Sequence, residues 1–459
     1  MTIKQNGGKV IASGGFGCIF EPALKCENSS DVSYGKISKL MTSKYATDEY
    51  LQIEKYKSIL NVIPNYSNYF LINDFELCKP DKLTKSDLNG YGKKCKALKK
   101  KGINAKNINK SLDKVMTINM PNGGIDVEQF VKTQLTLTDT NESTVIPSNI
   151  IILNNALIDL LINGIVPMNK LNVYHCDIKD ANILVNVVET GFETRLIDWG
   201  MSFIYNASQN GISRKIYRRP FQYNAPFSSI LFNKDFTNMY SNFLQLIPNP
   251  DYFQIREFVI NYIFIWNDIR GSGHLSTIND IMTKLTIKNI TAIKNKKIKK
   301  HFIEYDFTYY YIVEYISKII HKYTINGSLE LMTYLKNVFL KNVDIWGFTM
   351  VYIIFYETLY DHFDDLNHYQ IEFITKIKYI IIHYLYESPL EPINISLLVD
   401  ELTSLNTIIE KFNVHHTSPY VKFEEIMGGL RNKKSLQRNT TNKYLEKIKQ
   451  NVTKTKKRR

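Results

Sequence analysis

Two short stretches of the 459-residue chain set the strongest limits on its fold. Residues 174–185 read YHCDIKDANILV and residues 196–200 read LIDWG, with room for one short hairpin between them. In each stretch, polar side chains stand among apolar, β-prone residues. In a chain rich in Asn, Lys and Asp, any four of these polar residues alone would be weak evidence for a functional site. Their interpretation therefore depends on the segments that come before and after them.

Composition defines the general class of the chain. A hydrophobic content of 44% with 12% aromatic residues excludes a disordered chain, and no apolar run approaches the ~18 residues of a spanning helix. The start, MTIKQNGGKV, lacks the apolar stretch of a signal peptide. We therefore expect a soluble protein in a reducing, cytoplasmic compartment, with no membrane contact.

The cysteines are five in number and show no CxxC spacing. An odd count without that spacing suits neither a disulfide framework nor a zinc site. We therefore expect free thiols at all five positions, which are Cys18, Cys26, Cys78, Cys95 and Cys176.

The net charge of +14 is unevenly distributed. The segment 431–459 holds twelve Lys or Arg residues against one acid, Glu446, which gives it a charge of +11. We predict a flexible basic tail there, which contacts nucleic acid or an acidic protein or serves only solubility. Two further basic clusters, at 93–101 and 294–300, lack hydrophobic periodicity and are predicted to be exposed loops.

Periodicity divides the chain into a β-rich part and a helical part. On a predicted helix over 45–60, Glu49 shares one face with Ile53, Tyr56 and Leu60. An apolar helix is predicted at about 147–165, and helical patterns follow it. Strand-like stretches lie at 8–24, 34–41, 69–78 and 114–120. We predict an α+β fold with a small N-lobe over 1–122, a large helical C-lobe over 123–430 and the tail 431–459.

Several motifs, in this order, resemble those of the eukaryotic-type protein kinases. ASGGFG resembles their glycine-rich phosphate loop, KISK their strand lysine, HCDIKDAN their catalytic loop and DWG their metal-binding motif. YRRP at 217–220 resembles the end of an activation segment, and DIWGFTMVY at 344–352 the start of a large buried helix.

The resemblance spans roughly Ile11 to Tyr386 and implies a bilobal protein-kinase-like fold. The overall style of the chain further resembles the serine/threonine kinases of large DNA viruses, such as mimivirus-like ones. In that case the protein would lie in the host cytoplasm or in the virion. About 120 residues separate YRRP from DIWG, so the resemblance also requires a helical insert at about 227–342.

The resemblance implies a site for ATP in the N-lobe. Glycines in the turn leave room for phosphates. Lys39 would neutralise the α and β phosphates if a carboxylate of the first helix fixes it. Glu49 is the candidate for that carboxylate, with Glu54 as the alternative. The nucleotide-binding residues expected are Ile11, Ala12, Ser13, Gly14, Gly15, Phe16, Gly17, Cys18, Ile19, Lys39, Glu49 and Met120.

The resemblance places the chemistry in the C-lobe. Asp177 would accept the proton of the substrate hydroxyl, and Lys179 would hold the γ-phosphate. Asn182 and Asp198 would supply oxygen ligands to Mg²⁺. His175 is expected to brace the catalytic loop, without a role in proton transfer. Asp344, at the start of its helix, is expected to accept backbone N–H groups from the same loop.

Some positions depart from the family pattern. Ala12 replaces the first glycine of the phosphate loop, and Ile37 stands where a small residue usually covers adenine. Pro121 falls where a hinge N–H normally meets adenine, so Met120 would have to serve or affinity is reduced. Phe221 replaces a glutamate that usually forms a salt bridge. Cys176 replaces the arginine that usually pairs with a phosphate on the activation segment.

Three functions remain open at this point. The first is an ATP-dependent serine/threonine protein kinase, for which all the expected residues are present in order. The second is a nucleotide-binding pseudokinase or scaffold, which Ala12, Ile37 and Pro121 favour. The third is a small-molecule kinase of related fold. Lys179 argues against this third function and against a tyrosine kinase.

Overall fold

The computed structural model describes residues 8–27, 35–135, 147–189, 191–208, 211–286 and 308–413. Contacts divide the chain into a first unit, Met1–Phe412, and a second unit, Asn413–Arg459. Apart from Asn413, the second unit lies outside the described residues, and so does the predicted basic tail. The predicted basic loop at 294–300 also lies outside them.

The N-terminal region is built on one antiparallel sheet of five strands. Its order is β1-β2-β3-β5-β4. The first three strands are neighbours in chain order, and β5 lies between β3 and β4. The strands are β1 (Lys9–Ser13), β2 (Gly17–Glu21), β3 (Lys36–Thr42), β4 (Glu76–Cys78) and β5 (Val115–Pro121), and helix α1 (Ser43–Leu60) follows β3.

Helix α1 confirms the predicted apolar face. Ile53, Tyr56 and Leu60 are buried, as their spacing requires. The strand predicted over 69–78 is wrong in its first part, because Asp74 adopts a positive φ of 59° and interrupts the extended chain. Only Glu76–Cys78 joins the sheet.

The connection between β4 and β5, residues 79–114, folds over one side of the sheet, and we call it the cap. It contains α2 (Tyr91–Lys94) and α3 (Lys96–Lys99). Tyr91 and Leu98 are buried in one cluster with Phe20 and Leu40 of the sheet. The prediction of an exposed loop at 93–101 is therefore wrong, since this stretch is anchored by buried side chains and only its lysines face solvent.

Two disulfide bonds contradict the prediction of free thiols. Cys18 of β2 pairs with Cys95 of the cap, and Cys26 pairs with Cys78, over separations of 77 and 52 residues. The spacing rule failed because the folded chain, rather than local sequence, brings these thiols together. Cys176 is free and buried, as predicted.

Cys26, Glu76 and Cys78 form a compact group of residue types that bind metal ions in other proteins. Its two thiols are bonded to each other. This group is therefore not a free set of metal ligands.

The C-terminal part is mainly helical and surrounds one large apolar core. A small sheet, β6-β8-β9, and a two-stranded pair, β7 with β10, lie at its start. The strands are β6 (Ile125–Asp126), β7 (Val173–Tyr174), β8 (Ile183–Val188), β9 (Gly191–Leu196) and β10 (Phe203–Ile204). The first helices are α4 (Val127–Leu135), α5 (Pro147–Asp159) and α6 (Val166–Lys170), the last two joined by a π-helical segment, Leu160–Ile165.

The region expected to hold the insert, 227–342, contains helices in its described part. These are α7 (Lys234–Leu246), α8 (Tyr252–Arg270), α9 (Leu275–Thr286), α10 (Thr308–Tyr323) and α11 (Leu331–Tyr334), with a hairpin of β11 (Thr324–Ile325) and β12 (Ser328–Leu329). The last helices are α12 (Leu340–Met350), α13 (Ile353–Tyr360), α14 (His368–Ile380) and α15 (Ile395–Ile409). The chain thus has a mixed α+β fold with a β-rich N-terminal region and a helical C-terminal part, compatible with two lobes.

Among the described residues, two helical segments reach the length and composition of a membrane span. They are Pro147–Lys170, with a mean hydropathy of 1.8, and Leu331–Tyr360, with 1.4. Polar and charged residues, among them Asp159, Lys341 and Asp344, interrupt the apolar runs, so neither segment stands out in the sequence. The apolar window of Leu331–Tyr360 is 94% buried and that of Pro147–Lys170 is 50% buried. Core helices pass the same test, so the expected absence of membrane contact stays a prediction.

Candidate active site

The ion pair expected in the N-terminal region is formed. Lys39 Nζ on β3 donates to both carboxylate oxygens of Glu49 on α1, at 2.6 and 2.8 Å. The helix face on which Glu49 lies directs its carboxylate toward the sheet. Glu54, the alternative partner, instead lies 3.9 Å from Lys57 at the surface. The lysine is therefore held by two hydrogen bonds in a single orientation.

The glycine-rich turn connects β1, which includes Ile11, Ala12 and Ser13, to β2, which includes Gly17, Cys18 and Ile19. Gly14 N–H donates to the Gly17 carbonyl at 3.0 Å and closes the turn. A Cβ at Gly14 or Gly15 would meet no atom within 4 Å. These two glycines therefore leave open space for a ligand. Phe16, at the tip, is exposed and lies against the Tyr45 ring.

Gly17 has a packing role beside the nucleotide contact expected of it. A Cβ there would collide with the Met41 side chain on β3. The close packing of β2 on β3 thus requires this glycine, whatever ligand the turn holds. The base of the turn is also tied to the cap, because Ser13 Oγ accepts a hydrogen bond from Ala97 N–H at 3.3 Å, next to the Cys18–Cys95 disulfide.

The end of β5 does not offer the hydrogen bond expected from Met120. Ile37 pairs with Met120, and the Asn122 N–H donates to the Gly35 carbonyl at 2.9 Å. In an antiparallel ladder, residues two apart direct their N–H groups to the same neighbour. The Met120 N–H therefore faces β3, and Pro121 has no N–H. This geometry disagrees with Met120 as the donor to adenine.

The carboxylate of Asp177 is the centre of a polar cluster. Its Oδ2 accepts hydrogen bonds from Lys179 Nζ at 3.0 Å and from Asn182 Nδ2 at 3.1 Å. Its Oδ1 accepts one from Asn224 Nδ2 at 2.9 Å. Burial opposes ionisation, but the hydrogen bond from Asn224 and the charge of Lys179 lower the pKa of Asp177 below its ordinary value. Asp177 is therefore a carboxylate at neutral pH.

Asn182 and Asp198 lie at one edge of the β8–β9 hairpin. Asn182 directly precedes β8. Asp198 is the second residue after β9, with Ile197 between them. The Ile197 N–H donates to the Asn182 carbonyl at 3.0 Å, which holds the two ends together. Asp198 has a positive φ of 64°, a left-handed conformation that is uncommon outside glycine and turns its side chain out of the strand direction.

The donor set at this edge fits a hard divalent cation. Both amide hydrogen bonds of Asn182 go to Asp177, so its Oδ1 keeps its electron pairs. Asp198 Oδ1 accepts only a 3.4 Å contact from Gly200 N–H among the described residues. Amide and carboxylate oxygens are ligands that Mg²⁺ prefers. The residues present therefore suit Mg²⁺.

Asp344 holds the loop that carries Asp177. Its carboxylate accepts hydrogen bonds from the backbone N–H groups of His175 at 2.9 Å and Cys176 at 2.7 Å. Burial raises the pKa of Asp344, and these bonds oppose that effect. The expected bracing is confirmed. The expected position is wrong, since Asp344 lies inside α12, which continues without a break from upstream helical turns over 331–339.

Aromatic contacts connect the DWG stretch to both regions. The Trp199 ring lies 5.2 Å from the Tyr56 ring of α1 and 5.1 Å from the His175 ring. The Tyr56 hydroxyl donates to the Ser202 carbonyl at 2.6 Å. His175 thus braces the loop through packing, as expected. The helix that carries Glu49 is fixed against the segment that carries Asp198.

The expected insert contacts the end of the segment 201–219. Trp266 Nε1 donates to the Arg219 carbonyl at 3.3 Å, and Arg270 Nε to the Arg218 carbonyl at 2.8 Å. The His274 N–H donates to the carbonyl of the fully buried Phe221 at 2.8 Å. Helix α8 and the turn after it therefore position the residues that lead into the cluster around Asp177.

Sequence reasoning missed three residues near Asp177. Asn224 binds Asp177 directly, and its neighbour Tyr223 donates to Asp180 at 3.3 Å. The His274 ring lies 5.5 Å from the Tyr223 ring. The stretch QYNAPF stands out in the sequence, but no local pattern distinguishes Asn224 there. His274 gave no signal because its position depends on how α8 and α9 pack.

Together these residues form a site with two halves. One half offers an open glycine turn and the fixed Lys39. The other half offers the ionised Asp177 with Lys179 beside it, and the side-chain oxygens of Asn182 and Asp198 as ligands for a cation. Such a set can bind phosphates and a cation, and can accept a proton. No family model matches this chain, and a search of the curated proteins finds no match.

Proposed function

We propose that the protein is an ATP-dependent serine/threonine protein kinase, which transfers a γ-phosphate to hydroxyl groups of protein substrates. The observation that carries this proposal is the Asp177 carboxylate, which Lys179, Asn182 and Asn224 hold by hydrogen bonds and whose pKa Asn224 and Lys179 lower. A base in this state and position can orient a hydroxyl and accept its proton.

The other residues have roles that match the proposal. Lys39, fixed by Glu49, would bind the α and β phosphates, and Gly14 and Gly15 leave room for their approach. Lys179 would hold the transferred phosphate. Bound through Asn182 and Asp198, Mg²⁺ would supply positive charge to the phosphates.

A pseudokinase or scaffold that binds nucleotide is the second candidate function. The observation in its favour is the end of β5, where the Met120 N–H faces β3 and Pro121 has no N–H. Adenine would then lack a usual anchor, and nucleotide would bind more weakly.

One assay separates the candidate functions. Purified protein receives labelled ATP and Mg²⁺ with a generic basic protein, a Tyr-containing peptide, or an aminoglycoside or choline. We expect label on serine or threonine of the basic protein only. Nucleotide binding without transfer to any acceptor would favour the pseudokinase, and label on the small molecules would favour a small-molecule kinase.

Two variants test the roles at the site. Asp177→Asn should abolish transfer while nucleotide binding stays nearly intact, whereas Asp198→Asn should also weaken metal-dependent nucleotide binding. Asp400→Asn, on the exposed surface of α15, is the matched control and should keep wild-type turnover. Wild-type turnover in Asp177→Asn would show that the kinase proposal is wrong.

Three expectations from the sequence stay predictions. They are the viral relationship, the location in the host cytoplasm or virion, and the contact of the tail 431–459 with nucleic acid or an acidic protein.

A further inference from the structure

The cap, residues 79–114, carries a concentrated positive charge. It contains twelve lysines, three aspartates and no arginine, which gives it +9. The tail carries +11 and the whole chain +14, so the remaining residues have a net charge of −6. A general enrichment in lysine would not leave the remainder acidic. The positive charge is therefore concentrated in a few segments, namely the cap, the tail and the cluster at 294–300.

The lysines of the cap are available to a partner. All twelve are exposed. Among the described residues, only Lys79 forms an ion pair, with Glu27 at 3.2 Å. Elsewhere lysines often pair with neighbours, as Lys284 does with Asp280 and Glu357. Within the described residues, no other ion pair offsets the mutual repulsion of the cap lysines.

The cap holds these lysines on a fixed backbone. Cys18–Cys95 joins it to β2, and Cys26–Cys78 fixes its beginning at the end of β4. Ile108 is fully buried beside the sheet. A fixed surface loses less conformational entropy on binding than a flexible tail does.

A cavity of about 450 Å³ lies between the cap and the start of α1. Lys44, Lys101 and Lys114 line it, and Asp113 is its one acidic lining residue. Lys101 Nζ lies 5.9 Å from the centre of the Tyr45 ring on α1. The lysines of the cap therefore continue into a recess that three lysines line.

The side chains of this surface indicate the chemistry of its partner. Within 79–114 no large hydrophobic side chain is exposed, and the one aromatic residue, Tyr91, is buried. The surface therefore offers neither apolar anchors for a bilayer nor rings on which bases stack. Without arginine the surface makes no bidentate contact with carboxylate or phosphate, and its lysines act as point charges, a mode in which lysine binds phosphate.

We propose that the cap binds the phosphate backbone of double-stranded nucleic acid without reading its sequence. A duplex presents about one negative charge per 1.7 Å of its axis, which matches a dense, rigid field of lysines. This interaction is independent of the proposed kinase activity.

The test compares three full-length proteins. In the cap variant, Lys93, Lys94, Lys96, Lys99, Lys100 and Lys101 are replaced by Gln. In the control variant, six exposed lysines outside the cap are replaced by Gln, namely Lys55, Lys170, Lys318, Lys322, Lys336 and Lys341. Both variants lose the same charge and keep the tail, so their difference isolates the cap. Thermal unfolding should show that both remain folded.

Binding of a short labelled duplex is measured by fluorescence anisotropy at several salt concentrations. We expect the cap variant to bind at least about tenfold more weakly than the control variant. Its salt dependence should flatten by about 0.9 in the logarithmic slope for each phosphate that the cap no longer neutralises. Duplexes of different sequence should bind wild-type protein with the same affinity.

Three results would overturn the proposal. The first is equal loss of affinity in both variants, which would indicate a general charge effect. The second is cap-dependent binding to phosphatidylserine vesicles with no binding to duplex, which would indicate a membrane partner. The third is cap-dependent binding to polyglutamate with no binding to duplex, which would indicate an acidic protein.

Discussion

Arg219 donates a hydrogen bond from Nη1 to the backbone carbonyl of Cys176 at 2.8 Å. Cys176 directly precedes Asp177 and has a positive φ of 59°. Its thiol is fully buried, and this burial raises its pKa, so the side chain carries no charge. The kinase resemblance expects an arginine at this position. Here the cation instead comes from the end of the segment 201–219 and binds the backbone of the loop.

This bond corrects one interpretation of the sequence. From the sequence alone, Arg214, Lys215, Arg218 and Arg219 are expected to hold a phosphate locally without reaching the loop that carries Asp177. Arg218 pairs with Asp235 of α7 at 2.9 Å. Arg219, in contrast, is buried and contacts the loop that carries Asp177. Its carbonyl is in turn bonded to Trp266 of α8, so the helical block fixes the arginine from behind.

The first prediction concerns this arginine. Arg219→Gln should destabilise the protein by about 2 kcal/mol, because it removes a buried, charge-assisted hydrogen bond. Phosphoryl transfer should fall as the loop around Asp177 loosens. Arg218→Gln, which breaks only an exposed ion pair, should cost clearly less stability than Arg219→Gln. Urea unfolding and initial rates check both. Equal costs in the two variants would show that the Arg219 bond has no special role.

The second prediction is that activity does not depend on phosphorylation of 201–219. Arg219 already links this segment to the loop without a phosphate. Ser202 is buried and its hydroxyl donates to the His175 carbonyl at 3.3 Å, so the folded protein does not expose it to another kinase. Phosphatase treatment, with mass spectrometry to confirm an unmodified segment, should leave initial rates unchanged. A tenfold loss that rephosphorylation restores, equivalent to about 1.4 kcal/mol in the barrier, would contradict this prediction.

The kinase resemblance gave the expectation that Lys39 pairs with a carboxylate of the first helix, and the helix period selected Glu49 for it. Strand alternation and the helix period determine which way these side chains face, and the two elements are adjacent in the chain. The grouping of Asp177, Lys179 and Asn182 was predictable for a simpler reason, because all three lie within one short stretch of the chain.

Other contacts depend on packing that no local pattern encodes. Arg219 and Cys176 are 43 residues apart, and their contact requires α8 to lie behind the segment. Asn224 lies 47 residues from Asp177. The cysteine pairs are joined only after the cap folds onto the sheet. Sequence reasoning therefore found the contacts of Glu49 and Asp344, and missed the residues and pairs that only tertiary packing brings together, such as Asn224 and the disulfides.

The third prediction tests the role of Glu49. Glu49→Gln removes the charge that holds Lys39 through two hydrogen bonds. We expect the KM for ATP to rise about tenfold, equivalent to about 1.4 kcal/mol, because the ammonium is no longer fixed for phosphates. Glu54→Gln, on the same helix but paired at 3.9 Å with Lys57, is the matched control and should leave KM unchanged. The idea fails if both variants behave like wild type.

The last prediction concerns the pH dependence of stability at His274, which lies beside the Tyr223 ring. Burial and the positive charge of Lys179 lower its pKa from an ordinary value of 6.5, Arg219 acts in the same direction, and Asp177 opposes them. Because the pKa of the folded state is the lower one, the unfolded chain binds a proton first as pH falls. The free energy of unfolding should therefore decrease as pH falls through 6.5 toward the pKa of the folded state.

His274→Gln removes this contribution, so the variant should lose less stability than wild type between about pH 8 and about pH 5.5. Urea unfolding at both pH values measures the difference, and His383→Gln, at an exposed position, controls for the loss of an imidazole. A His274→Gln variant with the same pH dependence as wild type would show that the cations around Asp177 do not act on His274.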